Sequence, residues 1–331
     1  MRGQGLAPAG RPRLARRVYP ATAHMPTPTR NDPASSTARS WLGRRRRAMR
    51  RMMRRANAAG EVTPVVGGGI DLPPPPPDCP PGWTTGPPDF VGVGVQRCGT
   101  TRWFDLIASH PEVAPPGPAK ELHYFDRFYL GGCTAAETAR YHEYFPRAAG
   151  CKAGEWTPLY VSAPWIPSLL AAAAPEARLL VLLRDPVERY VSGLQHVTRV
   201  ARRRGAPLSR YAPLDQFLRG FYHDQLARLM RHFERSQVLV LQYERCTSEP
   251  LSQLRRTFEF LGLEDLEFRP DLEAHPGRQI DKPELDPDAR ESYVRAYRED
   301  VTSLLEAFPE IDVRLWPNFA QLAHERAATR A

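Results

Sequence analysis

Residues 90–101 read Phe90-Val91-Gly92-Val93-Gly94-Val95-Gln96-Arg97-Cys98-Gly99-Thr100-Thr101. An apolar run enters a Gly-rich turn, and helical periodicity follows through Trp103, Phe104, Ile107 and Ala108. Strand, turn and helix in that order can hold a phosphate on backbone N–H groups at the helix N-terminus. Gly94 and Gly99 have four residues between them, as in the triphosphate loop G-x-x-x-x-G-K-S/T, but Thr100 takes the lysine position. The cation lies two residues before the second glycine, at Arg97. A kinase or ATPase reading loses ground, and a loop for a different phosphorylated cofactor gains it. The plain alternative is a strand–turn–helix connection with no ligand. Two threonines and a cation beside the glycines count against it.

Outward from this loop, apolar runs alternate with helical patterns. Asp89–Val95 is the first predicted strand, and Thr100–Ser109 is a helix ended by His110-Pro111. Lys120–Phe125 is a short strand or an extended loop. Helices are expected at Ala135–Phe145, with Thr134 as N-cap, and at Pro164–Ala174. Arg178–Leu183 has the continuous apolar character of a strand covered on both faces. Helices follow at Val187–Val200, Leu214–Gly220 and Tyr222–Phe233, then a buried strand at Gln237–Tyr243. The helix Pro250–Leu261 is closed by Gly262, and Pro287–Phe308 is a last long helix. The order predicts an α/β fold of the P-loop type, a doubly wound parallel sheet flanked by helices.

The charge sits at one end. Residues 1–90 carry fifteen Arg, no Lys and five acids, a net +10, against +9 for the whole chain, so the remainder is close to neutral. The same segment holds sixteen of the 35 prolines, including Pro73–Pro77. With so little apolar surface to bury, residues 1–86 are expected to be a disordered basic Pro/Arg-rich tail and linker, the proline run acting as a stiff spacer. Within it, residues 41–58 combine Arg44–Arg47, Arg50, Arg51, Arg54 and Arg55 with Met49, Met52, Met53 and Ala56 near helical spacing. That pattern fits either a basic amphipathic helix for anionic surfaces or a solvated tail, the second being favoured. Leu169–Ala174 and Leu179–Leu183 are far too short to span a bilayer. The five cysteines form no CxxC pair and the nine histidines show no metal-ligand spacing, so neither a disulfide framework nor a metal is expected, and a cytoplasmic location fits.

Two further constellations carry chemistry. Leu179–Leu183 runs into Arg184-Asp185-Pro186-Val187-Glu188-Arg189-Tyr190-Val191-Ser192. The strand delivers Arg184 at its carboxyl end, where α/β sheets bind ligands, Pro186 suits a first helical turn, and Ser192 follows two turns on. The alternative is a local Arg184–Asp185 ion pair. Lys120-Glu121-Leu122-His123-Tyr124-Phe125-Asp126 presents a carboxylate able to deprotonate an incoming hydroxyl or amine, although alone it is a common surface pattern.

Together these residues resemble the sulfotransferases that use 3′-phosphoadenosine-5′-phosphosulfate, particularly the branch of heparan sulfate sulfotransferases and bacterial relatives. The family's V-x-K/R-x-G-T-T/S loop is matched by Val95–Thr101, and its R-D-P-x-x-R-x-x-S motif by Arg184, Asp185, Pro186, Arg189 and Ser192. The branch's K-E-x-H-x-F-D segment is matched by Lys120, Glu121, His123, Phe125 and Asp126, and its late Y-E and F-L-G-L elements by Tyr243, Glu244 and Phe260–Leu263. The resemblance spans residues 88–318. It implies a sulfotransferase domain at 87–318 followed by a C-terminal tail at 319–331. Arg97, Cys98, Gly99, Thr100 and Thr101 would hold the 5′-phosphosulfate, and Arg184 and Ser192 the 3′-phosphate. Gly277 and Arg278 would close on the cofactor. Glu121 would be the general base, with Arg97 and His123 beside it in the catalytic set. Transfer of a sulfonate to a glycan or small-molecule hydroxyl or amine then follows, by positioning and positive charge and without a metal.

Three positions depart from the branch pattern. Arg97 stands where many relatives have Lys, Cys98 replaces a commoner Gly or small polar residue, and Trp156 replaces the usual Lys before Thr157-Pro158. Trp156 is either an acceptor-pocket wall or a core aromatic. The rival readings are a P-loop kinase-like phosphotransferase and a non-catalytic nucleic-acid- or membrane-binding protein acting through its tail. No nucleic-acid partner is expected under the sulfotransferase reading, and contact with anionic surfaces falls to the tail.

Overall fold

The computed structural model describes residues 72–264, 272 and 285–330. The Arg-rich segment 41–58 and the pair Gly277 and Arg278 lie outside the described residues. Four parallel strands form one sheet: β1 (Phe90–Gly94), β2 (Gly154–Trp156), β3 (Arg178–Leu183) and β4 (Val238–Gln242), in the order β2-β1-β3-β4. β1 pairs with β2 on one side and β3 on the other, so the chain reverses its direction of sheet growth at β1. A crevice opens at the carboxyl ends of strands flanking such a switch point. The β1–β3 register shifts between Gly92 and Gly94, at the start of the Gly-rich loop.

Helices cover the sheet. After β1 comes α1 (Thr100–Ile107), followed by α2 (Ala135–His142) and α3 (Ile166–Ala173). α4 (Pro186–Arg203) leaves β3, and α5 (Ala212–Leu218) and α6 (Tyr222–Leu229) precede β4. α7 (Tyr243–Ser248), α8 (Pro250–Leu261), α9 (Pro287–Ala307) and α10 (Gln321–Arg330) complete the order. Local chemistry sets the boundaries. Thr134 and Glu137 form a reciprocal capping box on α2, Asp185 caps α4 ahead of Pro186, and Gly262 ends α8 with φ 65°. The predicted α/β architecture is the observed one.

Several details differ from expectation. Of the two readings of Lys120–Phe125 the extended loop is the observed one: the N–H groups of Leu122, His123 and Tyr124 bond to side chains of a neighbouring segment. β2 was not expected: Gly-Glu-Trp has no apolar run, and its middle residue is a buried carboxylate. α7 and α10 are likewise additional, and α10 lies within the segment read as a C-terminal tail, where Phe319 and Leu322 are buried. The proline segment is anchored at its described end: the Tyr144 hydroxyl donates to the Pro74 carbonyl at 2.5 Å, and Thr84 bridges to Arg147. Among the described residues no helix is long and apolar enough to cross a membrane.

Trp156 is a core residue. Its ring is fully buried and its indole N–H donates to the Gly94 carbonyl at 3.2 Å. The indole lies so close to Gly92 that a Cβ there would meet Cδ2 at 2.0 Å. A buried aromatic at this position predicts a large cost on truncation. Trp156→Ala should destabilise the protein by about 3–5 kcal/mol in urea unfolding; a loss below about 1 kcal/mol would return the residue to the surface of a pocket.

Candidate functional site

β1 ends in a loop whose backbone turns the wrong way for most side chains. Arg97 has φ 74° and Gly99 φ 87°, so two positive-φ residues flank Cys98. Gly99 is also the N-cap of α1, and no side chain caps that helix. Glycine is required there twice over, by the left-handed backbone and by the Tyr243 ring, which would lie 3.0 Å from a Cβ. The first N–H groups of α1 therefore face the loop's concave side as an anion cradle. Thr100 is buried and Thr101 exposed at its rim. The Cys98 thiol is fully buried, and burial pushes it up to about 12, so only its backbone belongs to the cradle.

Arg97 joins this loop to α4. Its Nε donates to Ser192 Oγ at 3.3 Å, and its Nη1 lies 3.4 Å from His196 Nδ1. Arg199 Nη2 reaches the same His196 nitrogen at 3.2 Å. Ser192, His196 and Arg199 recur at i, i+4 and i+7 on α4, one face of the helix. Burial, then Arg199 and Arg184, lower the Arg97 pKa, and His196 is lowered by burial, Arg97 and Arg199. Among the described residues neither Arg97 nor Arg199 has a carboxylate partner. Among the described residues the cluster thus carries uncompensated positive charge, and it fits an anionic ligand.

Arg184 is fixed under the loop from three sides. Its Nη1 donates to the Arg97 carbonyl at 3.5 Å, its guanidinium sits 4.7 Å from the Tyr243 ring centroid, and its carbonyl accepts from the Tyr222 hydroxyl at 2.8 Å. Its carboxylate neighbour is Glu188, at 3.9 Å, not Asp185. Asp185 has other work. One oxygen caps the N–H groups of Val187 and Glu188, and the other accepts from the backbone and side chain of Asn318 at 2.9 and 3.0 Å. Its own N–H donates to Glu244 Oε1, while Glu244 Oε2 accepts from Trp316; burial pushes Glu244 up to about 7. Arg189 is wholly buried and donates to Gln216, so it joins α4 to α5 and is not exposed to a ligand. A cavity of about 110 Å³ adjoins the cradle, lined by Gly99, Arg102, Trp103, Leu182, Tyr243 and Cys246 among others.

The Glu121 segment forms a chain of alternating charge. Lys120 Nζ lies 3.1 Å from Glu121 Oε1, His123 Nε2 3.4 Å from Glu121 Oε2, and His123 Nδ1 2.8 Å from Asp126 Oδ2. Burial would raise Glu121, but the bonds from His123 and Lys120 outweigh it and hold the carboxyl at about 2. Burial would lower His123, yet Asp126 and Glu121 raise it to about 10. His123 also carries φ 52°, a conformation its neighbours must enforce. Glu121 in turn raises His196 electrostatically, against the stronger lowering by burial, Arg97 and Arg199.

What enforces the segment is Glu155, which no local pattern marks. Its buried carboxylate accepts from the Tyr141, Thr157 and Tyr160 hydroxyls at 2.8, 2.6 and 3.2 Å and from the Leu122 N–H at 3.4 Å. Thr157 Oγ1 then accepts from the His123 N–H, and the Tyr160 hydroxyl from the Tyr124 N–H. Three successive backbone donors are thus held by one carboxylate and the two hydroxyls bonded to it. His196, Arg199 and Asn318 are further site residues found only in the structure, and Tyr243 of the Y-E element takes its place there over Arg184.

Outside the cleft, His223, Asp224 and Asp300 come together, but the Asp300 oxygens accept from the backbone N–H groups of His223 and Asp224 at the start of α6. The carboxylate is occupied as a helix cap.

A family model described as "Sulfotransferase domain" matches residues 87–271. Heparan sulfate glucosamine 3-O-sulfotransferase 3B1 of Mus musculus is 31% identical over 189 residues, 53% of this chain and 46% of that protein. Heparan sulfate glucosamine 3-O-sulfotransferase 6 of Homo sapiens is 30% identical over 188 residues, 53% of this chain and 52% of the relative. The chain thus spans about half the length of the curated relatives it matches. The crystal structure of a sulfotransferase from Alicyclobacillus acidocaldarius superposes with a TM-score of 0.55 at 25% identity, covering 69% of this chain and 98% of that one.

The ionic chain fixes a pH behaviour. His123 has its folded value raised from 6.5 to about 10, so the stabilisation it contributes is complete below pH 6.5 and is lost as pH rises through about 10. Imidazole NMR should show His123 protonated at pH 8, and Asp126→Asn should bring its midpoint down toward 6.5. A wild-type midpoint near 6.5 would mean that the chain of charges does not form.

Proposed function

Because this chain belongs to the sulfotransferase family, we propose that it moves a sulfonate from 3′-phosphoadenosine-5′-phosphosulfate to a hydroxyl or amine of a carbohydrate-like acceptor. The observation that carries this reading is the meeting of Arg97 with Ser192 and His196 above Arg184, a cation cluster beside an uncapped helix start. Two separated anionic groups suit it: the cradle of Arg97, Gly99, Thr100 and Thr101 takes the 5′-phosphosulfate, and Arg184 with Ser192 takes the 3′-phosphate. The donor supplies an activated sulfonate whose departing phosphate gathers negative charge. Arg97 and the α1 N–H groups lie where that charge collects, and a monoanionic transferred group needs no metal to neutralise it. Relatives named for transfer to a glucosamine of heparan sulfate favour a sugar acceptor.

Glu121 is the proton acceptor in this reading. Held at about 2, it is ionised throughout the physiological range, and its two oxygens are aimed by Lys120 and His123. So acidic a carboxyl is a poor base for a resting alcohol. It suffices late in the transfer, when the acceptor oxygen has given up an electron pair and its own proton has become strongly acidic. Lys120 and His123 thus postpone proton transfer until bond formation is advanced. Thr100 at the lysine position of a triphosphate loop leaves a kinase reading without its phosphate-binding cation.

Calorimetry with 3′-phosphoadenosine-5′-phosphate tests the donor site. Wild-type protein should bind, and Arg184→Ala should bind about 10- to 100-fold more weakly, as befits loss of a charge-assisted bond. Glu121→Gln should retain the nucleotide and lose about 10²- to 10⁴-fold in turnover. Absence of nucleotide binding by a folded wild-type protein would overturn the reading.

A further inference from the structure

The arm after α4 is built inside out. In α5 the inward positions are Gln216, fully buried against Arg189, and Phe217, whose ring packs 5.1 Å from Phe221 and 5.0 Å from Tyr297. Tyr211, Leu214 and Leu218, at i, i+3 and i+7, share the outward face and are 58, 53 and 54% exposed. Leu208, in the preceding loop, is 42% exposed. Half of the exposed large apolar side chains among the described residues fall within these eleven positions. A soluble surface helix ordinarily shows the opposite arrangement.

Arginine precedes and follows this face along the chain. Arg202, Arg203 and Arg204 are exposed at the end of α4 and have no partner among the described residues. Arg210 lies over the Tyr211 ring at 4.6 Å. The arm's one acid, Asp215, is bound by Arg219 at 3.1 Å. Five Arg against one Asp leave residues 202–219 at +4. That charge selects the occupant. Residues 1–90 of the same chain are at +10 and would set arginine against arginine, as would a second copy of the arm. The complement must present negative charge over an apolar layer, and an anionic lipid surface does so.

We propose that residues 202–218 are a membrane-surface arm that docks on an anionic bilayer. Leu208, Tyr211, Leu214 and Leu218 enter the boundary between headgroups and acyl chains, and the arginines pair with lipid phosphates. α4 joins the arm to Ser192, which lies about 16 Å along the helix axis from Arg203. The arm is independent of the donor and acceptor reading, because none of its residues lies in the cradle or the Glu121 chain.

The test is co-sedimentation of the full chain with vesicles of phosphatidylcholine alone and of phosphatidylcholine mixed with phosphatidylglycerol. Wild-type protein should partition onto the mixed vesicles and not the neutral ones. Leu214→Ser/Leu218→Ser, which changes no charge, should weaken that partition about tenfold or more. Circular dichroism and retained binding of 3′-phosphoadenosine-5′-phosphate certify that the variant is folded. Equal partition of wild type and variant would assign the adhesion to another Arg-rich part of the chain and overturn the proposal. So would a wild-type protein that sediments with neither vesicle.

Discussion

One buried carboxylate holds the donor side of the cleft in place. Asp185 is fully buried at the junction of β3 and α4, and each of its oxygens has two donors. Through Asn318 it binds the C-terminal part of the fold, where Arg290 bridges Asn318 and Glu188 at 2.8 and 3.0 Å. Through its own N–H it binds Glu244 at the start of α7. Arg184 immediately precedes it and has little freedom once these bonds are made. A charge so deeply buried survives only when its hydrogen bonds are complete. The position of Arg184 is thus paid for by segments far apart in sequence.

The two sides of the cleft use charge differently. On the donor side, Arg97, Arg184 and Arg199 accumulate, and the Arg97 and His196 values are lowered first by burial and then by the neighbouring arginines. On the acceptor side, Lys120, Glu121, His123 and Asp126 alternate in sign, and the values of about 2 and about 10 record mutual attraction. The first arrangement stores a demand for an incoming anion. The second is satisfied by itself and keeps its geometry with nothing bound.

The fold was legible because its determinants are local. Arg178–Leu183 and Pro250–Leu261 have the predicted bounds, one a continuous apolar run and the other a patterned helix ended by Gly262. Arg97, Arg184 and Ser192 were legible as motif members, and Arg97 and Ser192 lie within hydrogen-bond reach although ninety-five residues separate them. Glu155 was illegible because nothing local marks it: a carboxylate in a three-residue strand reads as a surface residue until Tyr141, Thr157 and Tyr160 surround it. His196 and Arg199 are illegible for a related reason, as helical spacing shows which residues share a face and not what that face meets. Trp156 was open between core and pocket until the indole was found against Gly92.

Trp156 and Gly92 also constrain the history open to this chain. The ring occupies the volume that any side chain at 92 would need. A tryptophan at 156 is therefore compatible only with glycine at 92 on the neighbouring strand. Once the ring has arrived, that glycine can no longer drift. The pair behaves as a ratchet, permissive in one order of substitution and closed in the other, and a lineage that has passed through it would have to remove the tryptophan before it could alter the strand.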